Sequence, residues 1–166
     1  MLISIIAAMT EEGVIGIDGR LPWHLPADMA WFRQHTLGKP VLMGRNTFKS
    51  IGAALPDRKN IILTHQATFE AKGCTVVHSI DEALEAAGDV PELVVIGGEN
   101  CYSQILPLSD RLYITIVHGS FKGDASFPPF DPAMWVETSR REYPADEANP
   151  LSVTFLIMEK AEDREP

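Results

Sequence analysis

The fold is best indicated by residues 94–99, Val94-Val95-Ile96-Gly97-Gly98-Glu99, where an apolar run meets two glycines. The continuous β-branched run predicts a strand buried on both faces, as in a parallel sheet covered by helices. Glycines before a helix let the backbone approach a phosphate, and the helix N-terminus adds unpaired N–H donors. The segment equally suits a tight turn without a ligand, and it lacks the GxGxxG spacing of dinucleotide sites.

Other short segments share this apolar, β-branched character or have a strand pattern. The predicted strands are residues 2–9, 41–43, 60–64, 75–77, 93–96, 112–117, 135–141 and 152–160, the last two as an antiparallel pair at a sheet edge. Helices are predicted from Pro26, at a first helical position, and from the capping box Ser79-Ile80-Asp81-Glu82, with Gly88 at its stop. A further helix over residues 99–106 is stopped by Pro107. Strands that alternate with helices predict an α/β fold.

The composition bounds the class of protein. The chain has 166 residues, 45% of them apolar and 22% charged, which is typical of one globular domain. A formal net charge of -9 argues against wide contact with nucleic acid or with an anionic membrane surface. Residues 20–72, however, hold eight Lys and Arg against three acids. This asymmetry suits either a solvated basic face or a small anionic ligand held by the first half.

Cysteine and histidine spacing predicts neither a disulfide framework nor a metal site. Cys74 and Cys101 show no CxxC spacing, and two reduced thiols in a cytoplasmic protein are expected. The five histidines have no ligand spacing. The apolar N-terminus has no basic leading region, so it is predicted to be a buried strand rather than a signal peptide.

A second strand leads into Gly44-Arg45-Asn46-Thr47-Phe48-Lys49-Ser50. The segment lacks the second glycine of a Walker A loop, but Arg45 and Thr47 near a helix N-terminus still favour an anion. Two such corners at strand ends fit the rule that open α/β sheets bind ligands there.

Asp28 is a candidate functional residue in the first turn of the predicted helix, with Met29 and Phe32 close to it. An acid in this position can be favoured simply by the helix dipole. It can also be a lone carboxylate facing an apolar pocket, where it accepts two parallel hydrogen bonds from a cationic or amidine-like ring. The residues alone leave both interpretations open.

Taken in order, these segments resemble bacterial dihydrofolate reductases over essentially the whole chain. The resemblance rests on the Pro22-Trp23-His24-Leu25-Pro26-Ala27-Asp28 block and the Ile96-Gly97-Gly98 block with Tyr102, joined by Gly44–Phe48, Ser50–Gly52, Leu55–Arg58 and Thr115. It implies a single domain over residues 1–166, with about 161–166 frayed. It also implies a mainly parallel eight-stranded sheet, with the antiparallel pair at its C-terminal edge and about four flanking helices.

The resemblance implies reduction of 7,8-dihydrofolate to tetrahydrofolate with NADPH, for one-carbon metabolism. By position, Asp28 would hydrogen-bond the 2-amino group and N3 of the pterin ring, Thr115 would support it, and Trp23 would help hold a water. Arg58 would pair with the glutamate α-carboxylate of folate. With Tyr102 near the nicotinamide, the implied catalytic residues are Asp28, Trp23, Tyr102 and Thr115. The substrate pocket would also include Ile6, Ala8, Met29, Phe32, Ile51 and Ile96.

The resemblance also implies a cofactor site without a metal. The Gly97–Gly98 peptide would be cis, Gly98 would face the pyrophosphate, and Arg45, Thr64 and His65 would approach the 2′-phosphate. The whole implied set is Ala8, Ile15, Gly16, Leu21, Gly44, Arg45, Asn46, Thr47, Leu63, Thr64, His65, His78, Gly97, Gly98, Glu99, Tyr102 and Gln104. Residues 13–23 would form the family's mobile active-site loop, and residues 119–124 its docking partner.

Some positions depart from the family pattern. Ala53 replaces a frequent Arg near the glutamate tail, and Arg33 is a candidate to compensate. Thr64-His65 replaces a frequent Ser-Ser pair, and Glu99 puts an acid beside the cofactor phosphates.

The resemblance further implies a cytoplasmic monomer that binds dihydrofolate and antifolate inhibitors, and neither nucleic acid nor membrane. Two alternatives stay open: a pyrimidine reductase of riboflavin synthesis, which shares the fold, and a non-catalytic nucleotide-binding module.

Overall fold

The computed structural model describes residues 1–16 and 23–161. The strands of the described residues are β1 (Leu2–Thr10), β2 (Val14–Gly16), β3 (Val41–Gly44), β4 (Asn60–Leu63), β5 (Cys74–Val77), β6 (Glu92–Gly97), β7 (Arg111–Val117), β8 (Ala125–Ser126), β9 (Trp135–Tyr143) and β10 (Val153–Lys160). The helices there are α1 (Pro26–Thr36), α2 (Arg45–Ile51), α3 (Ile80–Ala87) and α4 (Glu99–Ile105). None of these helices is long and apolar enough to cross a membrane.

The described strands form an eight-stranded sheet in the order β5-β4-β3-β6-β1-β7-β10-β9. Neighbours from β5 to β7 are parallel, whereas β10 runs antiparallel to both β7 and β9. The predicted α/β class, the parallel sheet and the antiparallel C-terminal edge pair are therefore confirmed. The small antiparallel pair of β2 and β8 falls where the sequence predicts only loops, because segments of three and two residues show no periodicity.

The helix boundaries follow the predicted signals closely. Helix α1 begins at Pro26, and Ser79 Oγ accepts the N–H of Glu82 at the start of α3. The Glu82 carboxylate, however, accepts from the N–H of His78 rather than from that of Ser79, so the capping box is displaced by one residue. Helix α4 ends at Ile105, one residue before the prediction, and Pro107 lies in a following 3-10 turn.

The central strands are buried on both faces. Consecutive residues enter opposite clusters: Ile5 and Leu42 pack on the side of α3 and α4, whereas Ile6 and Val41 pack on the side of α1 and α2. This explains why the strands read as continuous apolar runs rather than as alternating patterns. A third cluster, of Leu25, Val117, Val153 and Phe155, lies beneath the start of α1.

The two predicted glycine corners meet at one edge of the sheet. Met43 pairs with Gly97 in the register of β3 and β6, so Gly44 and Gly98 follow at the same level. A Cβ atom on Gly44 would lie 3.9 Å from the Gly98 nitrogen. The carboxyl ends of β1 and β7 lie beside this edge, which opens into a cavity.

Candidate active site

A cavity of about 1140 Å³ occupies this edge of the sheet. One part is apolar and contains six of the residues predicted to bind substrate: Ile6, Ala8, Met29, Phe32, Ile51 and Ile96. The other part contains the two glycine corners and most of the predicted cofactor residues: Ile15, Gly16, Gly44, Arg45, Asn46, Thr47, Leu63, Thr64, His65, Gly97, Gly98, Glu99, Tyr102 and Gln104. Asp28, Arg58 and Thr115 also line it. The fold therefore gathers nearly every predicted site residue into one space.

Asp28 is the carboxylate of the apolar part. It lies in the first turn of α1 and is half-buried. Burial raises the pKa of its carboxyl above the ordinary value, while the side chains of Thr115 and Trp23 partly oppose the rise. A carboxylate that has lost water in this way gains most from a ligand with paired donors.

The two polar neighbours of Asp28 come from different parts of the chain. Thr115 is buried on β7, where it pairs in register with Ala8 of β1. Trp23 lies two residues before the N-cap of α1, and its Nε1 is buried without a hydrogen-bond partner among the described residues. Trp23 does not line the cavity wall, although its indole bears on Asp28. A buried N–H without an acceptor costs free energy, so the Nε1–H of Trp23 is available to donate a hydrogen bond.

The two glycine corners lie close to Thr47 and leave little room for side chains. A Cβ atom on Gly97 would lie 3.0 Å from Thr47 Oγ1, and one on Gly98 would lie 3.2 Å from the same atom. Helices α2 and α4 start here, at Gly44 and Gly98, without a side-chain cap on either. Their first N–H groups are therefore available to phosphate oxygens, and Arg45 stands beside them. The Gly97–Gly98 peptide is cis, as the resemblance implied.

Comparison with known proteins finds dihydrofolate reductases that match nearly the whole chain. The family model described as dihydrofolate reductase matches residues 2–160. The chain is 45% identical to dihydrofolate reductase of Bacillus subtilis over 159 residues, covering 96% of this chain and 95% of that one. It is 46% identical to that of Haemophilus influenzae over 159 residues, covering 95% and 98%.

A solved structure of a dihydrofolate reductase also matches this fold. Dihydrofolate reductase from Enterococcus faecalis, complexed with NADP(H) and RAB-propyl, superposes with a TM-score of 0.92 at 34% identity and covers 97% of each chain. The chain belongs to the dihydrofolate reductase family. Members are NADPH-dependent oxidoreductases that reduce 7,8-dihydrofolate, and this chain is one of them.

Arg58 is held at the cavity wall by its neighbours. Its Nε donates to the Pro56 carbonyl at 2.9 Å, and its Nη1 donates to Thr36 Oγ1 at 2.8 Å. Thr36 in turn donates to the Phe32 carbonyl at 2.8 Å, so the arginine is tied to α1. Burial, and then the nearby Arg33, lower the pKa of Arg58. Two cations thus stand together at this end of the cavity.

The hydroxyl of Tyr102 is hydrogen-bonded to the backbone of the sheet. The oxygen lies 2.8 Å from the Ile6 carbonyl and 3.0 Å from the Ile96 carbonyl, and its single proton is shared between these two acceptors. Burial raises the pKa of the phenol, so it stays protonated. The hydroxyl therefore ties the middle of β1 to the carboxyl end of β6, and only the ring is left to face a ligand in the cavity.

Two predicted cofactor residues lie outside this cavity or outside the described residues. His78 does not line the cavity; its Nδ1 lies 2.8 Å from the carbonyl of Thr64, which does. His78 therefore supports the backbone of Thr64 from behind. Leu21 is not among the described residues, which also exclude most of the predicted active-site loop.

Glu99 is hydrogen-bonded to the small two-stranded sheet of β2 and β8. Its Oε2 accepts the backbone N–H of Ser126 at 3.2 Å. This hydrogen bond links the start of α4 to β8, so part of the carboxylate's acceptor capacity is used inside the protein.

Some residues that hold the site from behind carry no signal in the sequence. Thr36 anchors Arg58, and Ser126 engages Glu99. Asn60 accepts the N–H of Leu55 and donates to the carbonyls of Leu55 and Arg58, which fixes the loop that carries Arg58. None of these residues has a local pattern that points to the site, because each acts through a partner that only the fold brings near.

Proposed function

We propose that Asp28 is the residue on which dihydrofolate reduction by this chain depends, with the pterin bound against it in the apolar part of the cavity. The supporting observation is a half-buried carboxyl with a raised pKa, set among apolar side chains beside two anion-binding corners. The pterin 2-amino group and N3 donate two parallel hydrogen bonds to this carboxylate. This pairing fixes which face of the ring is presented to the cofactor.

Asp28 also favours the protonated substrate. A negative charge in a dry pocket stabilises positive charge that develops on the ring as it is reduced. The side chains of Thr115 and Trp23 both favour the ionised carboxylate, and the buried Nε1–H of Trp23 would hold a water beside it. These groups act together to raise the basicity of N5, which must gain a proton.

We assign the glycine-lined part of the cavity to the cofactor. The N–H groups of α2 and α4 receive the pyrophosphate, and Arg45, Thr64 and His65 receive the adenosine 2′-phosphate, which favours NADPH over NADH. When bound, NADPH supplies the hydride. The ring of Tyr102 flanks the nicotinamide, while its hydroxyl holds the two strands that frame this position.

Arg58 is assigned to the glutamate α-carboxylate of the substrate. Its bonds to Pro56 and Thr36 keep the guanidinium pre-oriented, which lowers the entropy cost of binding a carboxylate. Arg33 lines the same cavity and adds a second positive charge, which supports its role in compensating for Ala53.

The direct test mixes purified protein with NADPH and dihydrofolate and follows the absorbance of the reduced nicotinamide. We expect it to fall only when both are present, and a diaminopyrimidine antifolate should stop it. Folded protein that shows no turnover would contradict the proposal. Turnover of a ribosylamino-pyrimidine instead would favour the riboflavin-type reductase, and NADPH binding without antifolate stabilisation would favour a binding module.

We further propose that the enzyme acts as a cytoplasmic monomer that does not bind nucleic acid. The two cysteines are free thiols, and β9, at the sheet edge, is exposed and carries mixed charges. Light scattering should give the mass of one 18.3 kDa chain. Fractionation of cells should recover the protein with cytoplasmic enzymes.

A further inference from the structure

The first turn of α1, which carries Asp28, is completed by a residue far away in the sequence. The N-cap residue, Leu25, has no side-chain acceptor, and Pro26 has no N–H to satisfy. The N–H groups of Asp28 and Met29 reach the Leu25 carbonyl at 3.0 and 3.1 Å. The N–H of Ala27 remains, and it donates to Asn149 Oδ1 at 2.9 Å.

Asn149 is held so that its amide can face only one way. It is buried, with 4% of its surface exposed, in the segment 144–152 between β9 and β10. Asp146 Oδ1 accepts both the backbone N–H of Asn149 at 2.7 Å and its Nδ2 at 3.0 Å. Because Nδ2 is committed to a carboxylate, Oδ1 is left facing the helix.

The same segment also packs against the helix start. Leu151 contacts the apolar cluster that contains Leu25, Val153 and Phe155. Tyr143 joins this cluster, and its hydroxyl donates to Asp146 Oδ2 at 3.3 Å. The acceptor that Asn149 offers to α1 is therefore part of an ordered turn rather than a loose surface contact.

This hydrogen bond has a consequence for the neighbouring carboxylate. Aspartate side chains readily accept hydrogen bonds from nearby backbone N–H groups in the first turn of a helix. An unused Ala27 N–H would offer Asp28 such a bond, which would stabilise the ionised carboxylate and turn it away from the cavity. With the Ala27 N–H taken by Asn149, the Asp28 carboxylate is left to the ligand.

We propose that Asn149 is a positioning residue for Asp28: it occupies the one first-turn donor that would otherwise compete with the substrate for that carboxylate. The proposal rests on the role assigned to Asp28 above. The groups that act on Asp28 from the surrounding elements are Thr115 on β7, Trp23 before α1, and Tyr102 on α4, which stays protonated. Asp146, the nearest charge to Asn149, acts on the helix through it.

The test is the pH dependence with which a diaminopyrimidine binds to the full chain. The protonated ring pairs with ionised Asp28, so affinity is lost on the acid side as this carboxyl takes up a proton. In Asn149→Ala the freed Ala27 N–H favours the ionised carboxylate. The acid limb is the part of the pH profile in which antifolate affinity falls as pH is lowered. We expect this limb to move to lower pH and the affinity at neutral pH to fall about 3- to 10-fold.

The double variant Asp146→Asn/Asn149→Asp should shift the pH profile in the opposite direction. It exchanges the amide and the carboxylate of this pair, so position 149 keeps both an oxygen acceptor for the Ala27 N–H and an amide partner at position 146, while the negative charge moves nearer to Asp28. The acid limb should therefore move to higher pH. A residue that merely held the loop together would move both variants in the same direction, or neither, and either result overturns the proposal. If Asn149→Ala does not fold, the double variant Asp146→Asn/Asn149→Asp decides alone, and an acid limb at or below the wild-type pH overturns the proposal.

Ser79→Ala is the matched control, because it removes the equivalent cap from α3, which is not part of the site. It should lower thermal stability and leave the acid limb in place; a moved limb would overturn the proposal. Asp28→Asn distinguishes a failure of the role assigned to Asp28 from a failure of the role assigned to Asn149. If it binds the antifolate like wild type, the role of Asp28 fails; if it loses binding while the Asn149 variants behave like wild type, only the role of Asn149 fails.

Discussion

At the residue scale, Asp28 combines two opposed demands. Its position in the first turn of α1 favours the ionised form through the helix dipole, while burial disfavours that form and raises its pKa. A pterin cation bound as proposed would resolve the conflict, because it would replace the lost water with two hydrogen bonds. The site is therefore matched to a planar ring with adjacent donors rather than to an arbitrary cation.

The first prediction concerns this carboxylate in catalysis. Asp28→Asn keeps the size of the side chain and removes its charge, so we expect hydride transfer at neutral pH to fall by at least about 100-fold. NADPH affinity should change less than about threefold, since the assigned cofactor residues are untouched. Single-turnover kinetics and a cofactor titration measure the two effects. Wild-type turnover in the variant would refute the assignment.

A second prediction concerns the anion anchor. Arg58→Leu should weaken dihydrofolate about 10- to 100-fold, the range for losing a charge-assisted hydrogen bond, and should spare a pterin that lacks the glutamate tail. Lys49→Leu removes a positive charge from exposed α2 surface outside the cavity wall and serves as the control. Equal losses for both ligands in Arg58→Leu would mean that Arg58 does not bind the tail.

At the scale of elements, the hydroxyl of Tyr102 connects helix α4 to the middle of β1 and the end of β6. Tyr102→Phe keeps the ring and leaves two buried carbonyls without their donor. We expect unfolding to become easier by about 1–3 kcal/mol, while hydride transfer changes only a few-fold. Ser103→Ala, which removes an exposed hydroxyl-to-carbonyl bond on the same helix, should cost less. A 100-fold loss of rate at unchanged stability would instead give the phenol a chemical role.

The small sheet of β2 and β8 depends on a close approach of two backbones. A Cβ atom on Gly123 would collide with the Gly16 carbonyl and lie 2.5 Å from Val14 Cγ1. Gly123→Ala should therefore separate β8 from β2. Because Gly16 lines the cofactor part of the cavity, NADPH should bind several-fold more weakly while the melting temperature changes little.

Ser120→Ala, in the same connection but exposed, is the control for that experiment. It should bind NADPH like wild type. Unchanged NADPH affinity in Gly123→Ala would show that the small sheet does not shape the site.

At the scale of the whole molecule, stability should depend on pH through Asp28. Because its pKa is higher in the folded chain than in the unfolded chain, the folded chain holds this proton more tightly. The stability that the proton confers is complete below the ordinary value of 3.8 and is lost as pH rises through the folded pKa. Asp28→Asn cannot ionise and escapes this loss.

We therefore expect Asp28→Asn to melt a few degrees above wild type in mildly alkaline buffer, with the difference shrinking as pH falls towards 3.8. Calorimetry over a pH series measures it. Asp89→Asn, an exposed position outside the cavity wall, should show no such trend. A constant difference at every pH would contradict the prediction.

Local signals in the sequence were enough to predict the sheet and much of the helix geometry. Buried strands such as β6 can be predicted from their continuous apolar composition. Pro26 and Ser79 indicate helix starts, because proline suits the first helical position and serine suits the N-cap. Asp28 could be singled out but not assigned from residues alone, and its role entered through the resemblance. The supports from Thr36 and Asn149 could not be predicted, because a polar residue carries no local sign of a partner 22 or 122 residues away.

The strand order places the first strand of the chain in the middle of the sheet. β1 lies between β6 and β7, which begin only at Glu92 and Arg111. A ribosome working at roughly 5–20 residues per second therefore releases an apolar strand several seconds before either neighbour exists. During synthesis the N-terminal half has no central strand pairing to complete. The central sheet can therefore be completed only after the C-terminal half has been made, and until then the apolar β1 segment lacks both of its partner strands.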